Sequence, residues 1–186
     1  MKPLLILASQ SPRRRQLLRA MGVDFKIIPS KTGEATSLVR PAAIVKALAR
    51  RKALSVARQY PRARVIGADT LVVCKGRILG KPKNRADALR LLKLQNASWQ
   101  SVYTGVSVAH DGKLFTEYEV SRCKARRLSD AQLLRLSAKH HDKAGAYAVQ
   151  DDDDPFIEKI AGNRDNVVGL PCCLLKKLLA KTGFKI

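Results

Sequence analysis

Strand-like and helix-like segments alternate along this chain of 186 residues from one end to the other. Apolar runs of strand length, such as Leu4–Ala8 and Val65–Ala68, are separated by segments with helical spacing. Pro12–Met21 is one such helical segment, and the longest runs from residue 41 to about residue 60. Alternation of this kind predicts an α/β fold, in which helices flank a β-sheet.

Two hairpin signals indicate that the predicted sheet is mixed rather than purely parallel. Each signal consists of two strand-like runs joined by a short turn that contains glycine. The hairpins pair Leu71–Cys74 with Arg77–Leu79 across Lys75-Gly76, and Val102–His110 with Leu114–Ala125 across Asp111-Gly112. The other predicted elements are the strands Phe25–Pro29 and Phe156–Ile160, and helices over residues 84–94, from Ser129 to about Lys139, and over Pro171–Lys181. Long hairpins distinguish this pattern from a simple doubly wound fold.

The first joint between strand and helix concentrates arginines at a helix start. Ser11 carries the hydroxyl of a helix N-cap, and Pro12 fits the first helical position, where a missing N–H donor costs nothing. Arg13 and Arg14 follow, at the positive end of the helix dipole. Free backbone N–H groups and fixed guanidinium groups favour an anion, above all a phosphate. The alternative is an ordinary strand–turn–helix with solvated arginines.

The charge of the chain is strongly positive, with 36 Lys and Arg against 15 Asp and Glu and a net charge of +21. Such an excess predicts attraction to polyanions such as nucleotides, RNA, DNA or an anionic membrane. The region from residue 1 to residue 85 contains just three acids: Asp24, Glu34 and Asp69. Because nearby cations lower the pKa of a carboxylate, we expect these acids to be ionised. They are candidates for metal binding or for activating water, or else they serve as counter-ions.

Two further residues stand out by their position in predicted elements. Lys52 falls on the apolar stripe of the long helix, so its ammonium either extends to solvent or points into a site beneath the helix. Asp69 directly follows the apolar run Val65–Ala68, which places it at the predicted end of a buried strand. Gly67, two residues earlier, allows another backbone or a ligand to approach closely.

Several classes of protein and site are not supported. No run approaches the roughly 20 apolar residues of a membrane span, and the N-terminal apolar run is too short for a signal peptide. The four cysteines lack the spacing of a zinc site or a disulfide framework, which favours a reducing cytoplasm. Neither a phosphate-binding P-loop nor a dinucleotide fingerprint is present. The three histidines are interpreted as surface residues.

What remains is a set of cations and acids at the ends of predicted elements. Such a set suits phosphoryl chemistry, in which positioning and charge neutralisation provide most of the catalysis. Carboxylates hold Mg²⁺ and orient water, while Arg and Lys contact phosphate oxygens. The set comprises Arg13, Arg14, Glu34, Lys52, Asp69 and Lys81.

Six motifs in this order resemble those of the Maf family of nucleoside triphosphate pyrophosphatases, over nearly the whole chain. They are Leu-Ala-Ser-Gln-Ser-Pro-Arg-Arg at 7–14, Gly-Ala-Asp-Thr-Leu-Val-Val at 67–73, Gly-Lys-Pro at 80–82, Tyr-Thr-Gly-Val at 103–106, Lys-Ala-Gly-Ala-Tyr-Ala-Val-Gln at 143–150 and Asn-Val-Val-Gly-Leu-Pro at 166–171. The resemblance implies one domain over residues 1–186, with an elongated mixed sheet flanked by helices and two lobes around a central cleft. This fold is similar to that of inosine triphosphate pyrophosphatases, and the family is often homodimeric.

The resemblance also implies a reaction, cleavage of a nucleotide between its α- and β-phosphates with a divalent cation, Mg²⁺ or Mn²⁺. By motif position, Asp69 corresponds to the general base, and we expect it to activate water together with Glu34 and the cation. Thr70, Arg13 and Gln150 correspond to positions linked with substrate choice. The polar residues with which the family lines its phosphate cleft correspond in this chain to Ser9, Arg14, Glu34, Lys52 and Lys81.

The form of the motif that ends at Gln150 is similar to the branch of the family that acts on dTTP and UTP, with modified pyrimidine triphosphates as further candidates. The acidic run Asp151–Asp154 departs from the family pattern and is expected to form a solvated loop, or to alter metal or base preference if it borders the cleft. Two alternative functions stay open: a 7-methyl-GTP pyrophosphatase, and a basic protein that binds nucleic acid or regulates cell division without catalysis. Weak binding of polyanions alongside catalysis is compatible with the net charge.

Overall fold

The structure, a computed structural model, describes residues 4–140, 143–149 and 154–186. The strands are β1 (Leu5–Leu7), β2 (Lys26–Ile27), β3 (Arg64–Cys74), β4 (Arg77–Leu79), β5 (Trp99–His110), β6 (Lys113–Ala125) and β7 (Ile157–Ala161). The helices are α1 (Pro12–Ala20), α2 (Pro41–Ala57), α3 (Arg85–Gln95), α4 (Asp130–Leu136), α5 (Arg164–Val168) and α6 (Cys172–Ala180), with a 3₁₀ turn at Ala144–Ala146. Each predicted element has a counterpart, whereas α5 and the 3₁₀ turn were not predicted.

The strands form one seven-stranded mixed sheet, as the sequence predicts. Its order is β2-β1-β3-β5-β6-β7, and β4 pairs with β3. β1 is parallel to both β2 and β3, while the pairs β3–β4 and β6–β7 are antiparallel. The α/β class and the mixed sheet flanked by helices are therefore confirmed.

Two compact units share the chain, and each has its own core. The first contains the described residues up to Thr70, together with Thr104–Glu119 and Gly169–Ile186. The second contains Leu71–Tyr103 and the described part of the range 120–168, with a core around Phe156 and Leu92. The arrangement of the two as lobes around a cleft stays a prediction. No helix in the described ranges has both the length and the apolar composition needed to cross a bilayer.

β3 corrects one prediction about the site. Asp69 was expected where a buried strand ends, but β3 continues through it as far as Cys74. The strand persists because the residues after Asp69 are mostly β-branched or apolar, and because β4 pairs with them at Val72–Cys74. Asp69 is therefore held on both sides by strand backbone.

Side chains on β3 alternate between the two faces of the sheet, as the strand period requires. On one face, Val65 packs in a cluster with Ala53 and Val56 of α2. On the other face, Ile66 and Ala68 pack with residues of α1 and α6. Continuing this alternation places Asp69 on the side of α2 and the next residue, Thr70, on the side of α1.

Helix α2 lies directly on the sheet because two glycines leave room for its backbone. A Cβ atom at Gly67 would lie 2.6 Å from Ala53 N and would overlap the carbonyl oxygen of Ala49. A Cβ atom at Gly105 of β5 would in the same way overlap the carbonyl of Val45. The close approach predicted at Gly67 is thus made by another backbone, that of α2.

Replacing Gly67 with alanine is expected to lower the free energy of unfolding by about 2 kcal/mol or more, because the added methyl meets helix backbone that cannot rotate away. Chemical denaturation with a fluorescence or circular dichroism readout measures this. Gly80→Ala is the matched control, since a Cβ atom there meets nothing within 4 Å. Equal stability of the two variants would contradict the close packing of α2 on β3.

Candidate active site

Lys52 of α2 links the two acids that the sequence singles out. Its Nζ atom donates to Asp69 Oδ1 at 2.6 Å and to Glu34 Oε1 at 2.9 Å. The side chains of Lys52 and Asp69 are 12% and 8% exposed, whereas that of Glu34 is 59% exposed. Lys52 therefore points into a site beneath α2, which decides between the two orientations that the sequence leaves open.

The pKa of Asp69 differs from the sequence-based expectation. Burial raises it above the ordinary value, and this outweighs the lowering by the Lys52 ammonium and the Arg14 guanidinium. The expectation that cations keep the pKa of this carboxylate low is therefore wrong for Asp69. A buried carboxylate with a raised pKa is a better proton acceptor than a solvated one once it is ionised.

Helix α1 begins as the sequence predicts. The Ser11 hydroxyl accepts a hydrogen bond from the backbone N–H of Arg14 at 3.4 Å, and Pro12 occupies the first turn. The Ser11 backbone N–H in turn donates to the hydroxyl of the buried Ser9 at 3.2 Å. The cap and its flanking serine thus fix the position from which Arg14 leaves the helix.

The guanidinium of Arg14 contacts three other parts of the first unit. Its Nε atom donates to the Gly169 carbonyl at 2.8 Å, Nη2 to the Thr70 hydroxyl at 3.0 Å, and Nη1 to Ser9 Oγ at 3.4 Å. Burial lowers the pKa of Arg14, while the charge of Asp69 raises it. Arg14 therefore holds β3, the start of α1 and the segment before α6 in one arrangement.

Thr70 extends this network toward β5. Its hydroxyl lies 3.0 Å from that of Thr104, which is completely buried. Neither Thr104 nor Gly169 was assigned a role from the sequence, although both lie inside the motifs at 103–106 and 166–171. Membership in these motifs was the one sequence signal that could have pointed to Thr104 and Gly169. The residues around each of them do not indicate a contact with Arg14 or Thr70.

The structure brings together most of the residues predicted for the site. Arg13 belongs to the same electrostatic neighbourhood, because its charge contributes to lowering the pKa of Arg14, as Glu34 contributes to raising it. Lys81 is exposed and belongs to the second unit, after β4. Gln150 lies outside the described residues. Six predicted residues form two hydrogen-bonded groups in the first unit, and the opposite charges of Arg14 and Asp69 couple these groups. The groups are Ser9, Arg14 and Thr70, and Glu34, Lys52 and Asp69.

The end of the acidic run differs from the solvated loop that was expected. The Asp154 side chain is 2% exposed and accepts hydrogen bonds from the backbone N–H groups of Ala148 at 2.7 Å and Phe156 at 2.9 Å. It also pairs with His140 at 3.1 Å, so this histidine is not a surface residue. Residues 151–153 of the run lie outside the described residues.

Residues 4–182 match the sequence model of the Maf-like protein family. The chain belongs to the Maf-like family. A relative from Elusimicrobium minutum, named dTTP/UTP pyrophosphatase, is 53% identical over 97% of this Maf-like chain and 99% of its own. Relatives with the same name from Aquifex aeolicus and Dictyoglomus turgidum are each 42% identical, over 94% and 100% of this chain and 93% and 100% of their own.

The carboxylates of this Maf-like site fit a divalent cation that is also bound by the phosphates of a substrate. No group of three or more His, Cys, Asp or Glu side chains that could hold a metal ion occurs among the residues that the structure describes. Mg²⁺ is nevertheless commonly bound through one or two carboxylates together with substrate phosphates and water. Asp69 and Glu34, which converge on the same ammonium, supply those two carboxylates.

Proposed function

We propose that this chain hydrolyses dTTP and UTP, and modified pyrimidine triphosphates, to the nucleoside monophosphate and pyrophosphate. The observation that carries the proposal is the buried pair of Asp69 and Lys52, with Glu34 on the same ammonium, in a chain of the Maf-like family. Its relatives, which are similar to it over nearly the whole chain, are named dTTP/UTP pyrophosphatase, and this supports dTTP and UTP as substrates. This supports pyrimidine triphosphates over 7-methyl-GTP.

In the proposed mechanism Asp69 acts as the general base. Its carboxylate accepts a proton from water as the water attacks the α-phosphorus, and its raised pKa suits that transfer. Lys52 keeps the carboxylate ionised and oriented, since its ammonium contacts Oδ1 directly. Asp69 and Glu34 would hold Mg²⁺ or Mn²⁺, which when bound supplies charge neutralisation at the phosphate oxygens and a more acidic water.

The arginines at the start of α1 are proposed to neutralise the triphosphate. Arg13 is assigned to substrate contact, whereas Arg14, which already donates to Gly169, Thr70 and Ser9, orders the walls of the site. Lys81 and Gln150 are proposed to contribute phosphate and base contacts, as the resemblance to the family implies. A homodimer and a cytoplasmic location remain predictions.

A nucleotide panel tests the proposal. The chain is incubated with Mg²⁺ or Mn²⁺ and each of dTTP, UTP, CTP, GTP and 7-methyl-GTP, and products are separated by chromatography. We expect monophosphate and pyrophosphate in equal amounts, with the highest rates of hydrolysis for dTTP and UTP. Diphosphate and phosphate as products would contradict the cleavage position. Turnover of no triphosphate, combined with salt-sensitive RNA binding, would favour the alternative of a nucleic-acid-binding protein.

A further inference from the structure

The segment that carries Glu34 lacks regular secondary structure. It connects β2 to α2, and its residues from Gly33 to Arg40 are exposed. Fixing the backbone of such a segment costs conformational entropy. A carboxylate on this segment therefore keeps a defined position beside Asp69 only where other contacts hold its backbone.

Arg51 makes contacts of that kind. Its Nη1 atom donates to the carbonyl of Gly33 at 2.8 Å and to that of Ala35 at 2.9 Å, the residues on either side of Glu34. The next residue of the helix, Lys52, donates to the Glu34 carboxylate. Consecutive residues of α2 thus hold the backbone and the side chain of the same acid.

The helix that provides these contacts is itself rigidly placed. The backbone of α2 lies against β3 at Gly67 and against β5 at Gly105, with no room for a single Cβ atom at either position. Six side chains of α2 are buried, among them Val45, Leu48 and Val56. Because α2 is fixed against the sheet, the hydrogen bonds of Arg51 fix the exposed segment relative to the sheet.

We propose that Arg51 is a positioning residue for Glu34. It restricts the segment around Glu34 to the conformation in which the carboxylate meets Lys52, beside Asp69. Its expected effect on turnover rests on the proposed function, because it acts through Glu34 and the cation that Glu34 would hold. The structural part of the proposal, the fixing of the segment, does not depend on any activity.

Two variants separate this role from a simple effect of charge. Arg51→Met removes the donors and keeps the aliphatic stem. Arg50→Met is the matched control, since Arg50 is the adjacent exposed arginine on the same helix and its replacement removes the same charge. A long-range electrostatic effect on an anionic substrate would be similar in both variants.

The first readout is cleavage by the lysine-specific protease Lys-C after Lys31, at the start of the segment. Neither variant adds or removes a lysine, so the rate of this cleavage, followed by mass spectrometry, reports local opening. We expect Arg51→Met to accelerate it at least about tenfold, because the variant loses two charge-assisted hydrogen bonds and the loss of one already corresponds to about that factor. Arg50→Met should leave it unchanged. Equal rates in the two variants would overturn the proposed fixing of the segment.

The second readout is a double-mutant cycle with Glu34→Gln. Arg51→Met should lower kcat by about 10- to 100-fold, as loss of a group that orients a metal-binding carboxylate does. In the Glu34→Gln background the same change should alter kcat by less than about twofold, because the group that Arg51 positions is gone. Arg51→Lys should recover part of the loss. An equal loss in both backgrounds would overturn the proposal, since a merely structural or substrate-binding Arg51 acts regardless of Glu34.

The two readouts also distinguish failure of this inference from failure of the proposed function. If the wild-type chain hydrolyses no triphosphate, the proposed function fails, while the protease assay still decides whether Arg51 fixes the segment. If the wild-type chain is active and Arg51→Met behaves like Arg50→Met in both assays, the inference alone is wrong.

Discussion

Replacing Asp69 with asparagine is expected to lower kcat/KM for dTTP and UTP by about 10²- to 10⁴-fold, the contribution of a general base. Asparagine has nearly the same shape, but its side chain cannot accept the proton of the attacking water. It also leaves the Lys52 ammonium with one carboxylate, Glu34, instead of two. The loss should include a fall in kcat, because Asp69 is assigned to the chemical step as the general base.

Steady-state kinetics of pyrophosphate release measures this loss. Asp111→Asn is the matched control, because Asp111 lies in the turn between β5 and β6 with a positive φ of 46°, which asparagine tolerates well. Its side chain is 66% exposed, so the control makes the same chemical change without removing a buried carboxylate. Similar activity of Asp69→Asn and Asp111→Asn would remove Asp69 from the mechanism.

Replacing Lys52 with methionine is expected to have the second-largest effect, on both activity and stability. The change keeps the length of the side chain but leaves a buried carboxylate without its cation. Breaking a buried ion pair by removing one partner costs about 3–5 kcal/mol of unfolding free energy. The control is Lys46→Met, since Lys46 lies on the same helix and pairs with Glu117 at 3.6 Å at the surface.

The effect of Lys52→Met on pH dependence has a definite sign. Lys52 lowers the pKa of Asp69, against the burial that raises it. Without Lys52 that pKa rises further, so the acid limb of the kcat profile should move to higher pH. The Asp69 carboxyl then binds its proton more tightly in the folded state than in the unfolded state. The variant should therefore be relatively more stable in acid, and it should lose stability as pH rises from the pKa of Asp69 in the unfolded chain to its higher pKa in the folded chain.

Activity profiles and denaturation at several pH values measure both shifts. Lys46→Met should reproduce the wild-type acid limb and its stability within about 1 kcal/mol, as expected for an exposed ion pair. An acid limb that stays in place in Lys52→Met would show that the pKa governing turnover does not belong to Asp69.

Local sequence patterns were sufficient to predict most of the fold. The elements follow from hydrophobic period and turn chemistry, which act over a few residues, and the mixed sheet follows from the hairpin turns. The cap at Ser11 was equally local, since its hydroxyl meets an N–H three residues away. The alternation of side chains along β3 then accounts for Asp69 facing α2 and Thr70 facing α1.

Other features of the site depend on contacts that no local pattern contains. Asp69 separates the apolar runs Val65–Ala68 and Leu71–Cys74, so the sequence pattern predicts two strands where the structure has the single strand β3. The pKa of Asp69 depends on a burial that α2 creates, which the count of nearby cations could not anticipate. The contacts of Arg51 with Gly33 and Ala35 join residues 18 and 16 positions apart, and Gly33 and Ala35 lie in a segment without regular secondary structure.

The central claim is that Asp69 directs water to the α-phosphorus. It is tested most directly by the position of the ¹⁸O label in the products after hydrolysis in H₂¹⁸O. The wild-type chain and Asp69→Asn are incubated with dTTP in labelled water, and the products are analysed by mass spectrometry. We expect the label in the monophosphate, with unlabelled pyrophosphate, and formation of both products strongly reduced in Asp69→Asn. Label in the pyrophosphate, or equal turnover by the two proteins, would contradict it.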